Sequence, residues 1–466
     1  MASPIAQLDA DLLRRYDMAG PRYTSYPTAR EFTPAFGEGE YRRNLLLDPP
    51  QSTAPLSLYV HIPFCESPCF YCGCNRIITR DHLAADRYLN HLQREAALTG
   101  QLLGDTGPVR QLHLGGGTPN FLHSEQLRQL IDILAGSFRL TGAAERDYSV
   151  ELDPRYLQAG FLQTLAELGF NRASFGVQDF DPEVQRAVNR IQSEAQTLEA
   201  IAECRRRGLR SINVDLLYGL PGQRLAGFRR TLGTIIGVRP DRIAVYGYAH
   251  LPQLFKAQRQ LDPALLPDAQ TRLALLRLAI QELTAAGYRY IGLDHFALPE
   301  DELARARERG DLHRNFMGYT TCADCDLIGL GVSAISHIGN CFSQNHRDLK
   351  AWEAALDAGH LPVWRGLASS VDDRLRAEVI QQIMCQGAVD IHAIEERHGI
   401  VFAQYFASAL KQLGKLAADG LVTVSAQEIR ATERGQLLLR LIAMCFDHYL
   451  APSTEAAEPQ RFSRVV

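Results

Sequence analysis

Between residues 56 and about 296 the chain alternates between two hydrophobic periods. Short apolar or β-branched runs fall at 56–62, 111–114, 148–152, 172–177, 211–218, 242–248 and 288–293. Longer amphipathic stretches separate them, the clearest at 82–103, 124–137, 194–207 and 268–286. This βαβα rhythm predicts an α/β fold of parallel strands joined by crossover helices. The strand count fits a partial (β/α)6 barrel better than a flat sheet, although periodicity alone does not decide between them.

The rhythm is missing at both ends. Residues 1–55 read as an N-terminal arm that closes in a proline-containing linker at 48–52. Residues 297–350 read as loop-rich, with Gly329, Gly331 and Gly339, finishing the barrel and crossing to a second unit. Beyond Asp372 the pattern turns helical at 372–382 and 402–416, followed by a short strand at 420–425 and a last helix at 432–449. The expected organisation is an arm at 1–55, a barrel with its extension at 56–350, and a mainly helical, winged-helix-like domain at 351–466. The acidic stretch 452–458 is expected to be mobile.

Composition narrows the class. The 466 residues are 46% hydrophobic and 22% charged, as in an ordinary soluble globular protein, and the net charge of −4 argues against a general nucleic-acid binder. A winged-helix pattern invites DNA binding, but acids stand beside the bases there, and a lid over the barrel mouth is the preferred reading. No apolar run approaches the ~20 residues of a membrane helix. The first residues, with Asp9 and Asp11, do not form a signal peptide. Ten cysteines point to a reducing compartment, so a cytoplasmic location is expected.

Three of those cysteines carry the chemistry. Cys65, Cys69 and Cys72 stand at C-x3-C-x2-C spacing directly after the first strand run. A structural zinc site would pair C-x2-C with a distant second pair. Four thiolates would ligate a [4Fe–4S] cluster completely, and three leave one iron open. Cys74 is a fourth thiol, expected just outside the coordination sphere because Cys72 already occupies that corner. Polar and glycine residues gather where other strands should end: Gly115-Gly116-Gly117-Thr118-Pro119, Glu151, Asp153, Gln178 and Asp215. That is the C-terminal rim at which parallel strands carry their active sites. The glycines permit close backbone approach and expose N–H groups, but no Lys-Ser/Thr follows as a P-loop requires. Cys322 and Cys325 form a C-x2-C without a second pair nearby and are read as incidental. Cys204, Cys341, Cys385 and Cys445 are read as core filling.

The C-x3-C-x2-C loop resembles the signature of radical S-adenosylmethionine (SAM) enzymes. Tyr59-Val60-His61-Ile62-Pro63-Phe64-Cys65 with Cys72-Gly73-Cys74-Asn75 resembles the oxygen-independent coproporphyrinogen III oxidases of heme biosynthesis. So do the stretches from Gly20 to Thr28, Tyr248 to Pro252, His313 to Phe316 and Gly318 to Thr321. The resemblance runs from about residue 16 to the terminal Val466.

It implies that Cys65, Cys69 and Cys72 hold a [4Fe–4S] cluster and that two SAM molecules bind. Tyr59, Tyr71, Gly116, Gly117, Thr118, Glu151, Gln178, Arg190, Asp215, Ala249 and Ile335 match the family's SAM-contacting positions. Carboxylates and an amide suit ribose hydroxyls, and an arginine suits the methionine carboxylate. Arg190 and Asp215 are expected to serve the cofactor rather than the fold. His61 and Cys74 match catalytic positions. On its own, His61 reads equally as a satisfied core histidine and as a donor to a sulfur or ligand, and the resemblance favours the second.

The implied substrate is coproporphyrinogen III, two of whose propionates become vinyl groups. The implied partner is a low-potential electron donor protein, with no nucleic acid and no membrane, and a monomer is expected. Arg22, Lys256, Arg259 and Arg314 are candidates to meet the substrate's four carboxylates. The Arg22 to Tyr26 stretch is expected to face the ligand across the mouth from the C-terminal unit. The alternative is a heme-binding chaperone built on the same fold, a carrier and not an enzyme. Such relatives usually lack the fourth cysteine, have a shorter N-terminus and carry a His-Asn-x-x-Tyr-Trp segment. Here Cys74 and the arm are present and that segment is absent.

Overall fold

The computed structural model describes residues 12, 15–16, 18–48, 54–142 and 145–450. Most of the proline linker, the first residues and the acidic stretch 452–458 lie outside the described residues. One twelve-stranded sheet organises the chain. In chain order its strands are β1 Leu56–Ile62, β2 Val109–Gly116, β3 Asp147–Leu152, β4 Arg172–Gln178, β5 Ser211–Tyr218, β6 Arg242–Gly247, β7 Arg289–Gly292, β8 His295–Ala297, β9 Asp326–Leu330, β10 Ile335–Ile338, β11 Cys341–Asn345 and β12 Val363–Ala368. They lie side by side as β12-β11-β10-β9-β1-β2-β3-β4-β5-β6-β8-β7.

The stretch β9-β1-β2-β3-β4-β5-β6 is parallel throughout. Helices cross between its strands, among them Leu83–Leu103, Ser124–Ser137, Glu194–Arg206, Leu225–Val238 and Ala269–Ala285. Asp268 and Ser193 cap two of them, their side chains accepting the backbone N–H groups of Thr271 and Gln196. Alternate strand side chains and the apolar helix stripes form the main core around Leu58, Val60, Leu112, Leu114, Val150, Phe175, Val214 and Leu216, all essentially inaccessible. This leaves the strand ends free to carry polar groups.

Two sequence expectations change here. The seventh run forms β7, but it is not parallel to a neighbour. The short β8 intervenes, antiparallel to both β6 and β7, so β7 is the sheet edge. Residues 297–350 are not mainly loop. β9 adds beside β1, and β10, β11 and β12 extend the sheet antiparallel.

The C-terminal region has helices Val371–Gln386, Ile391–His398 and Ala407–Ala418 with a three-stranded antiparallel sheet, in which Val422–Val424 is the predicted short strand. The expected helix 432–449 is broken into a 3₁₀ turn Gly435–Leu438, a short helix Leu439–Met444 and a second turn His448–Leu450. The arm does not stand across a mouth from this unit. Leu12, Tyr23 and Tyr26 are buried in its core with Phe402, Phe406 and Phe446. Tyr23 donates to Asp447 at 2.9 Å, and Arg440 donates to the Pro21 carbonyl at 2.9 Å. Tyr23 and Tyr26 are therefore packing residues and not a ligand wall.

Candidate active site

The cysteine loop leaves β1 through Pro63 and is closed at its base by a two-stranded parallel ribbon, Phe64–Cys65 against Ile77–Ile78. Arg76 fastens it from inside, donating to the carbonyls of Cys72 at 3.0 Å and Cys69 at 3.2 Å. Asn189 donates to the Pro68 carbonyl at 2.7 Å. His61 holds the returning strand. The Asn75 carbonyl, 2.9 Å from Nε2, can only accept, so Nε2 carries the proton and Nδ1 accepts from the Tyr59 hydroxyl at 3.0 Å. Neither ring nitrogen is left for a sulfur or a ligand, which makes His61 a positioning residue in this structure.

Cys65, Cys69, Cys72 and Cys74 border one cavity of about 290 Å³ at the C-terminal rim of the sheet. Of the expected cofactor residues, Tyr71, Gly116, Gly117, Thr118, Glu151, Gln178, Arg190 and Asp215 line it. Tyr59, Ala249 and Ile335 do not. Tyr59 stacks on His113, and Ile335 backs onto Gly329, where a Cβ would meet its carbonyl oxygen at 2.4 Å. The carbonyls of Tyr71 and Ala249 both accept from Gln258, a buried amide that sequence reasoning missed. Also missed on the wall are Arg76, Arg155, Ser174 and Tyr246. A usable signal existed for Arg155, which continues the alternate-residue series Glu151, Asp153.

The glycine loop works differently from its expected role. The Gly116 N–H donates to Glu151 at 3.2 Å and the Gly117 N–H to the Ile62 carbonyl at 2.8 Å, so neither is free for a ligand. Gly117 is required by crossing backbones: a Cβ there would lie 2.7 Å from the Pro63 carbonyl. An amino group is a donor and would take the loop's carbonyls. Gln178 ends β4 with φ of 68°, a left-handed conformation that non-glycine residues rarely hold, and it does so on the cavity wall.

The cavity is electrically divided. At the cysteine end, Arg155 and Arg190 donate to Cys69 Sγ at 3.4 and 3.5 Å, and both pair with Asp153, at 2.7 and 3.0 Å. Burial would raise Asp153, but these two cations hold its carboxyl below the usual range. A hydrogen bond from the Cys74 thiol, with the Arg76 and Arg190 charges, brings Cys72 down to about 6 despite its burial. Burial pushes Cys65 up to about 11, against a 3.3 Å contact with Thr118 Oγ1. Towards β5, Glu151 and Asp215 pair with no lysine or arginine among the described residues, and His113 Nε2 lies 3.3 Å from Glu151.

The comparisons with known proteins bear on this site. The Radical SAM superfamily model matches residues 59–235, and the HemN C-terminal domain model matches 370–438. The chain is 49% identical over 458 residues to the oxygen-independent coproporphyrinogen III oxidase of Pseudomonas aeruginosa, covering 98% of both. It is 46% identical to that of Escherichia coli K12, covering 99% of this chain and 100% of the relative. The solved structure of the Escherichia coli coproporphyrinogen III oxidase (HemN), described as a radical SAM enzyme, superposes with a TM-score of 0.90 at 45% identity, covering 95% of this chain and 99% of that one. The chain belongs to the oxygen-independent coproporphyrinogen III oxidase family.

Membership implies a [4Fe–4S] cluster and SAM, and the site's donor set fits both. The free thiols of Cys65, Cys69 and Cys72 share the cavity with a fourth, Cys74, and two guanidinium groups offset thiolate charge. Across the cavity stand carboxylates suited to hydroxyl donors. No described helix is long and apolar enough to cross a membrane.

Asp215 gives a test of this division. Burial and the nearby Glu151 charge push its carboxyl up to about 6, against hydrogen bonds from Asn213 at 2.9 Å and Ser174 at 3.0 Å. A folded value above the ordinary 3.8 means that the ionised form destabilises the fold. That cost is absent below pH 4 and complete above pH 6. Asp215→Asn should therefore stabilise the ligand-free protein at pH 7.5 by about 1–3 kcal/mol, the lower figure allowing for an acceptor lost to the amide. Denaturation curves of variant and parent should converge by pH 4. A gap that stays constant with pH would count against the carboxylate's strained state.

Proposed function

We propose that the chain converts two propionate side chains of coproporphyrinogen III to vinyl groups, giving protoporphyrinogen IX without oxygen. The observation that carries this is the three-thiol cavity with its opposed arginine and carboxylate ends, in a chain that matches oxidases of this name along nearly its full length. Held at Cys65, Cys69 and Cys72 and beside Glu151 and Asp215, the cluster and SAM would supply the radical chemistry needed to activate the propionate.

The chain's own residues do the positioning. Cys65, Cys69 and Cys72 are the cluster ligands. Arg155 and Arg190 donate to Cys69 and so favour the cluster's reduced state. Cys74 sits outside the ligand set as a donor to Cys72. Glu151 and Asp215 accept from the ribose hydroxyls of SAM, and Gln178, fixed in its left-handed conformation, presents its amide to the same cofactor. The sheet end and the loops around it limit water at the reacting atoms.

The reading includes two SAM molecules, a low-potential electron donor protein, and a monomeric cytoplasmic enzyme. It keeps three segments, an arm at 1–55, the barrel with its extension, and a C-terminal domain, but moves the last boundary from 350 to beyond β12 Val363–Ala368, which belongs to the large sheet; Leu12, Tyr23 and Tyr26 of the arm share a core with the last segment. The test is anaerobic incubation with coproporphyrinogen III, SAM and a reductant, read by product mass. Loss of two carboxyl groups per molecule is expected. Deoxyadenosine formation without decarboxylation, or heme retention without any turnover, would refute the assignment.

A further inference from the structure

Tyr246 stands on the cavity wall, and a chain of rings and cations leads away from it. The Arg22 guanidinium lies over its ring, with Cζ 5.6 Å from the centroid. His295 meets Tyr246 edge-on at 5.8 Å and Tyr319 edge-on at 5.3 Å. Arg314 lies over Tyr319 at 4.7 Å. Arg22, Arg314 and Arg440 are close enough to repel one another. Burial and the Arg314 charge weaken the hold of Arg22 on its proton, and burial with both charges drives His295 strongly towards its neutral form.

The balancing groups are few. Arg440 is spent on the carbonyls of Gly20 and Pro21, and Asp294 is ion-paired with Arg22. Arg314 has no such answer. It is 5% exposed, and its Nε and Nη1 have no hydrogen-bond partner among the described residues. The Nδ1 of neighbouring His295 is likewise unpartnered. A guanidinium buried with two nitrogens unsatisfied is unfavourable for the isolated chain. An entering anion would satisfy it. Lys256 and Arg259, the other two candidates for the substrate's carboxylates, lie exposed on the 3₁₀ turn Lys256–Gln260, outside this group.

We propose that Arg314, with Arg22, anchors one propionate carboxylate of the porphyrinogen, seated along the series of rings that leads from Tyr246 on the cofactor cavity's wall. The inference rests on the function proposed above and adds the residues that orient the macrocycle. A carboxylate can come from two sources here, a substrate propionate or the methionine part of a SAM molecule, and we assign the substrate.

The test uses coproporphyrin III, the oxidised tetracarboxylate, and its uncharged tetramethyl ester, with cluster-loaded protein under anaerobic conditions. Binding is followed by fluorescence. Arg314→Gln should weaken coproporphyrin III about 10- to 100-fold, the loss expected for a hydrogen-bonded charge pair. The ester should bind the parent more weakly than the acid, and bind variant and parent alike. With coproporphyrinogen III the variant's loss should fall mainly on KM. Its melting temperature should equal or exceed the parent's, because an unpaired buried cation is gone; a merely structural arginine would give the opposite.

Should Arg314→Gln not fold, Arg22→Gln carries the same binding expectations but not the melting-temperature one, because it would leave Asp294 unpaired, and the acid–ester comparison needs no variant. Equal coproporphyrin III affinity in the folded variant overturns the proposal. So does an ester that binds the parent as tightly as the acid. Lost SAM affinity with coproporphyrin III affinity retained overturns it in favour of the cofactor's carboxylate. If the parent itself turns over no coproporphyrinogen III, the proposed function fails. If it does and the variant matches it, only the anchor fails.

Discussion

Replacing Cys65, Cys69 or Cys72 by serine should remove the visible iron–sulfur absorption and reduce SAM cleavage below detection, whereas Cys74→Ala should keep both. The four thiols border the same cavity, so proximity does not separate them. Their surroundings do. Cys69 receives hydrogen bonds from two arginines, Cys65 is held beside Thr118, and Cys72 is the acceptor of both the backbone N–H of Cys74, at 3.4 Å, and its thiol. Cys74 is thus a donor towards a ligand. Its loss should move the cluster's potential, because hydrogen bonds to cluster sulfur raise it. Iron content, absorption and deoxyadenosine yield check each variant. A Cys74→Ala protein that cannot hold iron would establish a four-thiolate site and close the position needed by SAM.

Arg190→Leu should abolish deoxyadenosine formation and also lower stability, by about 3–5 kcal/mol. The sequence suggests a cofactor residue separable from the fold, and the structure changes that expectation. Arg190 is 6% exposed. It donates to Asp153 at 3.0 Å, to Gln192 at 3.1 Å, to the Gly176 carbonyl and to Cys69. Leucine would leave Asp153 with one cation, Arg155, and the carbonyl with none. Arg190→Lys should recover part of the stability but little activity, because an ammonium cannot span carboxylate, carbonyl and sulfur together. Denaturant midpoints separate the two effects. A leucine variant with the parent's midpoint would show that the network is not structural.

Local signals were readable where local energetics decide. The β1 and β5 strands were placed to the residue, β1 as a run buried on both faces and β5 as an alternating one. The helix Ser124–Ser137 was placed to the residue and Ala269–Ala285 to within one, the latter fixed by its Asp268 cap. Strands β9 to β11 were obscured by Gly329, Gly331 and Gly339, which serve close packing and turns inside a sheet. The thiols and most cavity residues were legible from their place after strands. The uses of His61, Gln258 and the glycine N–H groups were not, because each depends on a partner remote in sequence. No spacing rule shows that two nitrogens of Arg314 go without a hydrogen bond among the described residues.

The union of the two chain ends also has a timetable. Tyr23 finds Asp447 across 424 positions. At a synthesis rate of roughly 5–20 residues per second, that separation corresponds to about 20–80 s on the ribosome. The sheet and its cysteine loop are complete well before then, while the arm still lacks the residues it will pack against. A nascent chain halted short of Asp447 would carry a finished cysteine loop and sheet but an arm without the core that buries Tyr23 and Tyr26.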